Sequence, residues 1–174
     1  MIMCRTEGGH IAGWDLRKPL QALASLKIAD GPAFAIDCTR DTHLAEPSQQ
    51  GMQSTSLAER PRIQIVCGGA YAHLVCLRFD FAVGQLACAM KVEIPEEGVG
   101  DVAMRSDNRI VAAGCWDACT RIFHVRTGKK LAVLQQHRAS VAAAEFSDSG
   151  LLACASRDRS ISLWEIQLSK QYCA

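Results

Sequence analysis

The chain has 174 residues, with 19 Lys and Arg against 18 Asp and Glu, for a formal net charge of +1. This length allows one domain or two small ones, and the near-neutral charge argues against nucleic acid or an anionic membrane as the main partner. No stretch approaches the roughly 18 uninterrupted apolar residues of a transmembrane helix, and residues 1–5 lack a secretion signal, so we expect an untargeted chain.

The apolar runs predict short strands along the chain. They are too short for helices, and several alternate apolar and polar residues with a period of two. In chain order the predicted strands are Arg62–Cys67, His73–Phe79, Gln85–Val92, Arg109–Cys115, Thr120–Val125, Lys130–Leu134, Ser140–Phe146, Leu151–Ala155 and Ser160–Ile166. We therefore predict an all-β fold.

Two of these segments repeat each other. Asp117 precedes Phe123 by six residues, Asp158 precedes Trp164 by six, and the two aromatic residues are 41 positions apart. Such a fixed offset indicates an internal structural repeat.

The repeat extends upstream in weaker form. Leu77 fits the aromatic position 46 residues before Phe123, and Trp14 fits it 63 residues before Leu77. The stretch 42–60 explains the longer spacing, because its Ser, Thr, Gln, Glu, Pro and Gly residues cannot pack a core. We expect a disordered insert there.

A period near 40, the turn Asp and the Ser-Asp-Ser-Gly at 147–150 resemble the WD40 repeat. The resemblance implies propeller blades of four antiparallel strands, the outermost supplied by the start of the next repeat. A closed ring of seven blades needs about 280 residues, so we expect an all-β, partial WD40-type β-propeller, an open arc of about three blades plus an incomplete N-terminal blade. Its expected parts are 1–18 (end of a truncated blade), 19–80 (blade with insert 42–60), 81–126 (blade), 127–168 (final blade) and 169–174 (tail).

The last two repeats carry a more specific resemblance. Gly114–Thr127 contains a Gly-x-Trp-Asp turn and a Phe-His pair in place of Trp-Asp, and Leu131–Leu134, His137 and Gly150–Trp164 follow it. These segments are similar to the last two repeats of the G-protein β-subunit-like protein 1 family, which is related to the fungal ASTRA-associated protein 1. The resemblance implies that the chain corresponds to roughly the second half of that family's propeller.

One set of polar residues fits the structural tetrad of a WD40 repeat. The resemblance places His137, Ser156, Asp158 and Trp164 in a buried, hydrogen-bonded chain that ties the blade together. Ser, His and Asp also form hydrolase triads, but no Gly-x-Ser-x-Gly turn occurs here. Because a serine that donates inside a core cannot attack a substrate, we interpret these residues as structural.

The preceding repeat has a degraded tetrad. Cys115 takes the Ser position, Phe123 takes the Trp position, and 94–98 contains no His. We therefore expect Asp117 to have few side-chain partners. Either it accepts backbone N–H groups in its turn, or it faces a ligand together with Trp116.

Arginines on propeller loops are expected on the face that carries Trp116. An exposed Trp beside arginines is typical of an interaction hot spot. The alternative is a Trp packed on the neighbouring blade beside solvated charges. The candidate partner-binding residues are Trp116, Asp117, Arg138, Arg157 and Arg159.

The nine cysteines are odd in number and accompany no secretion signal, so a disulfide framework is not expected. Cys115 and Cys119 flank a turn, but no second Cys or His pair stands at zinc-ligand spacing. Gly128 and Lys129 are reminiscent of a phosphate loop, but Phe123 stands where its first Gly would be and Lys130 stands in place of its Ser/Thr. We expect no metal, no cofactor and no catalytic residue, and we expect five cysteines to pack as small hydrophobes: Cys38, Cys67, Cys76, Cys88 and Cys154.

The expected function is a non-enzymatic scaffold for protein–protein interactions. The family resemblance implies phosphatidylinositol-3-kinase-related kinases and their maturation cochaperones as partners, or an ASTRA-type chromatin-associated complex, in the cytoplasm and nucleus. We expect no direct contact with nucleic acid or a membrane, and self-association through open propeller ends. The alternatives are a G-protein β-like signalling adaptor, which would want a helical N-terminal extension not seen in this sequence, and an enzyme.

Overall fold

A computed structural model describes residues 2–5, 7–15, 17–18, 20–40, 62–96 and 98–167. Within these ranges no helix is long and apolar enough to cross a membrane. The insert 42–60 and the tail 169–174 lie outside the described residues. The strands are β1 (Ile2–Arg5), β2 (His10–Trp14), β3 (Ala22–Lys27), β4 (Ala33–Arg40), β5 (Arg62–Gly69), β6 (His73–Asp80), β7 (Gln85–Glu93), β8 (Val99–Met104), β9 (Ile110–Cys115), β10 (Thr120–His124), β11 (Lys130–Leu134), β12 (Val141–Phe146), β13 (Leu151–Ser156) and β14 (Ile161–Glu165).

Four antiparallel sheets contain these strands, in the orders β1-β2-β3, β4-β5-β6-β7, β8-β9-β10-β11 and β12-β13-β14. Their first strands meet at the sheet boundaries, where β1 contacts β4, β4 contacts β8 and β8 contacts β12. The sheets therefore stand side by side as an open array with the first strands innermost. This arrangement confirms the predicted all-β, partial WD40-type propeller.

Each of the last three predicted repeat ranges contains four strands, and these are shifted by one strand relative to the sheets. Range 19–80 holds β3 to β6, range 81–126 holds β7 to β10, and range 127–168 holds β11 to β14. In each range the first strand pairs into the preceding sheet. The blade boundaries themselves stay predictions.

The core lies between neighbouring sheets, where β-branched and leucine side chains interdigitate. Glycines at two equivalent positions allow the close approach: a Cβ on Gly68 would lie 2.6 Å from the Val99 side chain, and one on Gly114 would lie 2.7 Å from Val141. Core residues between the first and second sheets include Ile11, Ile65 and Leu77. Those between the second and third include Val66, Val99 and Val111, and those between the third and fourth include Ile110, Ile122 and Leu152.

Carboxylates also join the inner strands. Asp37 on β4 accepts the Met104 N–H of β8 at 2.7 Å, and Asp101 on β8 accepts the Ala144 N–H of β12 at 3.0 Å. Each side chain thereby satisfies a backbone donor on the next inner strand. The two bonds fix how three sheets stand against one another, and so position their turns.

Candidate functional site

The candidate site is built on the turns that join the second and third strands of the sheets. In the third and fourth sheets these turns match, because Ala118 and Arg159 both follow a turn aspartate and have φ angles of 67° and 69°. Gly9 stands five residues before Trp14, as Ala118 and Arg159 stand five before Phe123 and Trp164, and it has a φ of 73° in the turn between β1 and β2. Side chains at equivalent positions of these hairpins can therefore be compared directly.

In the last sheet, His137 links the turn to the third strand. Its Nδ1 lies 3.2 Å from Asp158 Oδ2, and its Nε2 lies 2.9 Å from Ser162 Oγ. Ser162 Oγ also accepts a hydrogen bond of 2.9 Å from Trp164 Nε1. Since the His137 side chain is only 3% exposed, this network is buried and ties loop, turn and strand together.

The structure replaces Ser156 by Ser162 in the predicted tetrad. Ser156 Oγ donates to the Ala139 carbonyl at 2.8 Å and accepts the Asp158 N–H at 3.1 Å, so it shapes the turn. Ser162 lies between the other members because it is two residues before Trp164 and therefore on the same face of β14. His137, Asp158 and Trp164 are brought together as neighbours in this network.

The same hydrogen bonds engage the groups that a hydrolase would need. Ser162 is buried, and its hydroxyl contacts both His137 and Trp164. Asp158 accepts the Ser160 hydroxyl at 2.6 Å and the Arg138 N–H at 2.8 Å, and these donors hold the pKa of its carboxyl below the ordinary value. The arrangement orients a turn, as expected of a structural network.

In the third sheet an ion pair joins the turn aspartate to the third strand. Arg121 stands 41 residues before Ser162, at the equivalent place, and both of its Nη atoms donate to the Asp117 carboxylate, Nη1 to Oδ1 at 2.9 Å. The two side chains are 7% and 14% exposed. The guanidinium holds the pKa of Asp117 below its ordinary value, while the carboxylate raises the pKa of Arg121. Asp117 therefore has one side-chain partner that was not predicted, because Arg121 is long enough to reach the turn alone, and it also accepts the Cys119 N–H at 3.3 Å, as the first predicted alternative requires.

The second sheet uses apolar contacts instead. Tyr71 precedes Leu77 by six residues, at the place of the turn aspartate, and is 7% exposed. Tyr71, Val75 and Leu77 belong to one buried cluster. Three neighbouring sheets thus stabilise one hairpin position by an apolar cluster, an ion pair and a hydrogen-bonded network.

Trp116 and Phe34 form an exposed aromatic pair beside the third turn. The Trp116 ring lies over Gly98, where a Cβ atom would come within 2.2 Å of it. The backbone N–H of Trp116 donates to the Gly98 carbonyl at 3.0 Å. The two ring centroids are 5.8 Å apart. Trp116 is 43% exposed and Phe34 is 40% exposed. The indole is therefore held in place and still open to solvent.

A cleft of about 330 Å³ lies beside these rings. Three of its residues, Phe34, Gly100 and Ala142, are the bulge residues of β4, β8 and β12, where the register of each inner strand shifts. A bulge turns a side chain out of the regular ladder, so three inner strands contribute to one concavity. Trp116, Ser140 and Arg157 line it as well.

The candidate partner-binding residues separate into three groups. Trp116 and Arg157 share the cleft, whereas Asp117 faces inward to Arg121. Arg138 and Arg159 are exposed on the adjoining loop and turn. Three residues of the site were not predicted from the sequence: Arg121, Ser162 and Phe34. Arg121 and Ser162 carried a signal, since each lies two residues before the aromatic position of its repeat, whereas Phe34 carried none.

Burial divides the cysteines. Burial raises the pKa of Cys76 and of Cys115 to about 11, so both remain protonated thiols at neutral pH. The expectation of uniform core packing is wrong for two residues, because β4 and β7 are the edge strands of their sheet. Cys67, Cys76, Cys115 and Cys154 are buried, whereas Cys38 and Cys88 are exposed. Within the described ranges, no group of three or more His, Cys, Asp or Glu residues could hold a metal ion.

Known proteins resemble parts of this chain. The WD domain, G-beta repeat family model matches residues 128–165. Guanine nucleotide-binding protein subunit beta-like protein 1 of Mus musculus is 43% identical over 74 residues, which cover 42% of this chain and 23% of the mouse protein. ASTRA-associated protein 1 of Schizosaccharomyces pombe is 37% identical over 70 residues, covering 40% and 19% of the two chains. The protein of the same name from Schizosaccharomyces japonicus is 28% identical over 127 residues, covering 67% and 35%.

These matches confirm the predicted resemblance over part of the chain. A WD40 repeat occupies residues 128–165, and the similarity to proteins of both names is present. The chain spans 19% to 35% of the length of these relatives. Repeat and relatives together support a protein-interaction scaffold.

Proposed function

We propose that the chain is a non-catalytic scaffold whose protein partners dock at the cleft beside Trp116. The observation that carries the proposal is a Trp held by Gly98 and Phe34, 43% exposed, with Arg157 lining the same cleft. Tryptophan and arginine are the residues most enriched among interface hot spots. A Trp that served only to pack one sheet on another would be buried between them.

On this proposal the partners are phosphatidylinositol-3-kinase-related kinases and their maturation cochaperones, or components of an ASTRA-type chromatin-associated complex. The similarity to ASTRA-associated protein 1 supports the second group by name. The proposal places the chain in the cytoplasm and nucleus, without direct contact with nucleic acid or a membrane. The net charge of +1 is in keeping with protein partners.

Affinity capture from the cells in which the chain is made, followed by mass spectrometry, tests this function. Trp116→Ala is compared with Phe81→Ala, because Phe81 is an aromatic of similar exposure, 41%, in the turn at the opposite end of the sheets. We expect the amount of captured cochaperone to fall at least fivefold with Trp116→Ala and to stay unchanged with Phe81→Ala. Equal capture by both variants, with circular dichroism showing both folded, would overturn the proposal.

A further inference from the structure

We infer that the cleft beside Trp116 binds an extended peptide segment in which Phe or Leu stands within two residues of Asp or Glu. The inference rests on the proposed docking function and adds the chemistry of the segment. Two features of the cleft determine that chemistry, an apolar lining with an aromatic wall and an arginine that has no carboxylate partner among the described residues.

The floor and walls favour a large apolar side chain. Phe34 and Trp116 supply one wall, and Gly100 leaves the floor without a side chain. A Cβ atom on Gly100 would lie 2.5 Å from the Val141 carbonyl oxygen, so the backbones there are too close for any larger residue. A volume of about 330 Å³ accommodates one such side chain with part of its backbone.

Arg157 favours a carboxylate next to that side chain. Arg157 lines the cleft, and its exposed side chain makes no hydrogen bond or ion pair with the rest of the described chain. None of the described residues that line the cleft is Asp or Glu. The turn carboxylates that follow Trp116 and Arg157 in the sequence are engaged elsewhere, Asp117 by Arg121 and Asp158 by His137. An unpaired guanidinium at the mouth of an apolar cleft matches a carboxylate, which it can bind through two hydrogen bonds.

A peptide fits these features better than a nucleic acid. A phosphate backbone is bound through several cations along a groove, whereas Arg157 is the one cation among the described residues that line this cleft. Arg138 and Arg159, exposed on the same loops, strengthen the positive potential without entering the cleft. This potential favours acidic residues on either side of the apolar one.

Selection of a phage-displayed library of random nine-residue peptides tests the inference. The chain is compared with Trp116→Ala, Phe34→Ala, Arg157→Gln and the control Arg126→Gln, whose exposed side chain lies in the turn at the opposite end of the sheet. Enriched peptides are then synthesised, and their affinities are measured by fluorescence polarisation beside a nine-residue oligouridylate RNA. Since Arg157 and Phe34 are exposed, their variants keep the test valid should Trp116→Ala fail to fold.

We expect the peptides that depend on the cleft to share Phe or Leu within two residues of Asp or Glu. Arg157→Gln should weaken them at least fivefold and remove the preference for Glu over Gln, whereas Arg126→Gln should leave it intact. Ala142→Glu, which places a carboxylate in the cleft, should weaken binding more than the isosteric Ala142→Gln.

Enrichment of basic or uncharged peptides, equal binding by the Arg157→Gln chain, or tighter binding of the RNA would overturn the inference. The outcome is separable from that of cellular capture. Trp116-dependent capture together with non-acidic peptides leaves the docking function standing and removes only the acidic segment. If the enriched peptides are acidic but cellular capture does not depend on Trp116, the peptide specificity stands and the docking of the cellular partners at the cleft is removed.

Discussion

Arg121 and Ser162 occupy the same position in successive sheets, two residues before the aromatic side chain of the third strand. Arg121 reaches the turn carboxylate directly, whereas Ser162 reaches it only through His137. The same hairpin geometry is therefore stabilised by a direct ion pair in the third sheet and by a chain of hydrogen bonds through His137 in the fourth. The two hairpins should respond differently to substitution.

Removal of one member of the Asp117–Arg121 pair should destabilise the fold strongly. Asp117→Ala leaves a buried guanidinium uncompensated, at a cost of about 3 kcal/mol in the free energy of unfolding. A double-mutant cycle with Arg121→Met, measured by urea unfolding, should give a coupling of at least about 1 kcal/mol. Asp15→Ala is the control, because it breaks an ion pair whose Arg17 side chain is 88% exposed and should hardly shift the midpoint. Equal midpoint shifts for Asp117→Ala and Asp15→Ala would contradict the account.

The exchange of Ser156 for Ser162 in the tetrad has its own test. Ser162→Ala leaves His137 Nε2 and Trp164 Nε1 without their hydrogen-bond partner, which should cost about 2 kcal/mol of stability. Ser156→Ala loses the bond to the Ala139 carbonyl and the bond from the Asp158 N–H, but Ser156 is only half-buried, so water can replace its hydroxyl and the cost should be about 1 kcal/mol. Chemical unfolding of both variants gives the order, and a larger loss for Ser156→Ala would restore the predicted assignment.

Acid should weaken the fold through the two turn aspartates. Asp117 and Asp158 both have pKa values held below the ordinary value in the folded chain, so the unfolded chain binds protons first as the pH falls. Their contribution is fully present above the unfolded-state pKa of about 4 and is lost as the pH falls through the folded-state values.

This loss should be reduced in Asp117→Asn. Urea unfolding followed by circular dichroism between about pH 5 and about pH 2.5 should show a shallower decline in stability for Asp117→Asn than for the wild type. The matched control is Asp148→Asn, at an exposed turn residue, which should follow the wild-type slope. Identical slopes for all three chains would remove the role assigned to the Asp117–Arg121 pair.

The predicted self-association can be assigned to one face of the fourth sheet. Ile161 and Leu163 on β14 are 73% and 64% exposed, on the face opposite Trp164, which packs against the core. Ile161→Lys and Leu163→Lys should raise the monomer fraction in sedimentation velocity, because a charge on an apolar face opposes pairing of two copies. Val83→Arg, at a turn residue 70% exposed, should not. A wild-type chain that is monomeric at every concentration would contradict this prediction.

The sequence predicted the repeat better than its chemistry. Strand alternation and the six-residue offset from Asp to the aromatic residue depend only on local geometry, so the hairpins around Asp117 and Asp158 could be placed. Ser156 and Ser162 are both serines close to Asp158, and Ser162 was passed over although its place two residues before Trp164 puts it on the same face of β14. Arg121 was overlooked because the expected partners were a His and a Ser, and a longer side chain can replace both.

The aromatic cleft could not be predicted, for a different reason. Phe34, Gly100 and Ala142 are 66 and 42 residues apart in the sequence, and they meet only because three inner strands bulge at the same level. Bulge positions depend on strand pairing. Trp116 and Arg157 could be predicted as loop residues on one face, because each directly precedes a turn Asp of the repeat.

Site-specific photo-cross-linking in cells tests the docking claim most directly. A benzoylphenylalanine at position 142, inside the cleft, is compared with one at position 83, which is exposed in the turn at the opposite end of the sheets. The account predicts that position 142 cross-links to a kinase-maturation cochaperone or an ASTRA-complex component, that position 83 does not, and that Trp116→Ala abolishes the product. Cross-links of equal yield from both positions, or a product at position 142 that persists in Trp116→Ala, would contradict it.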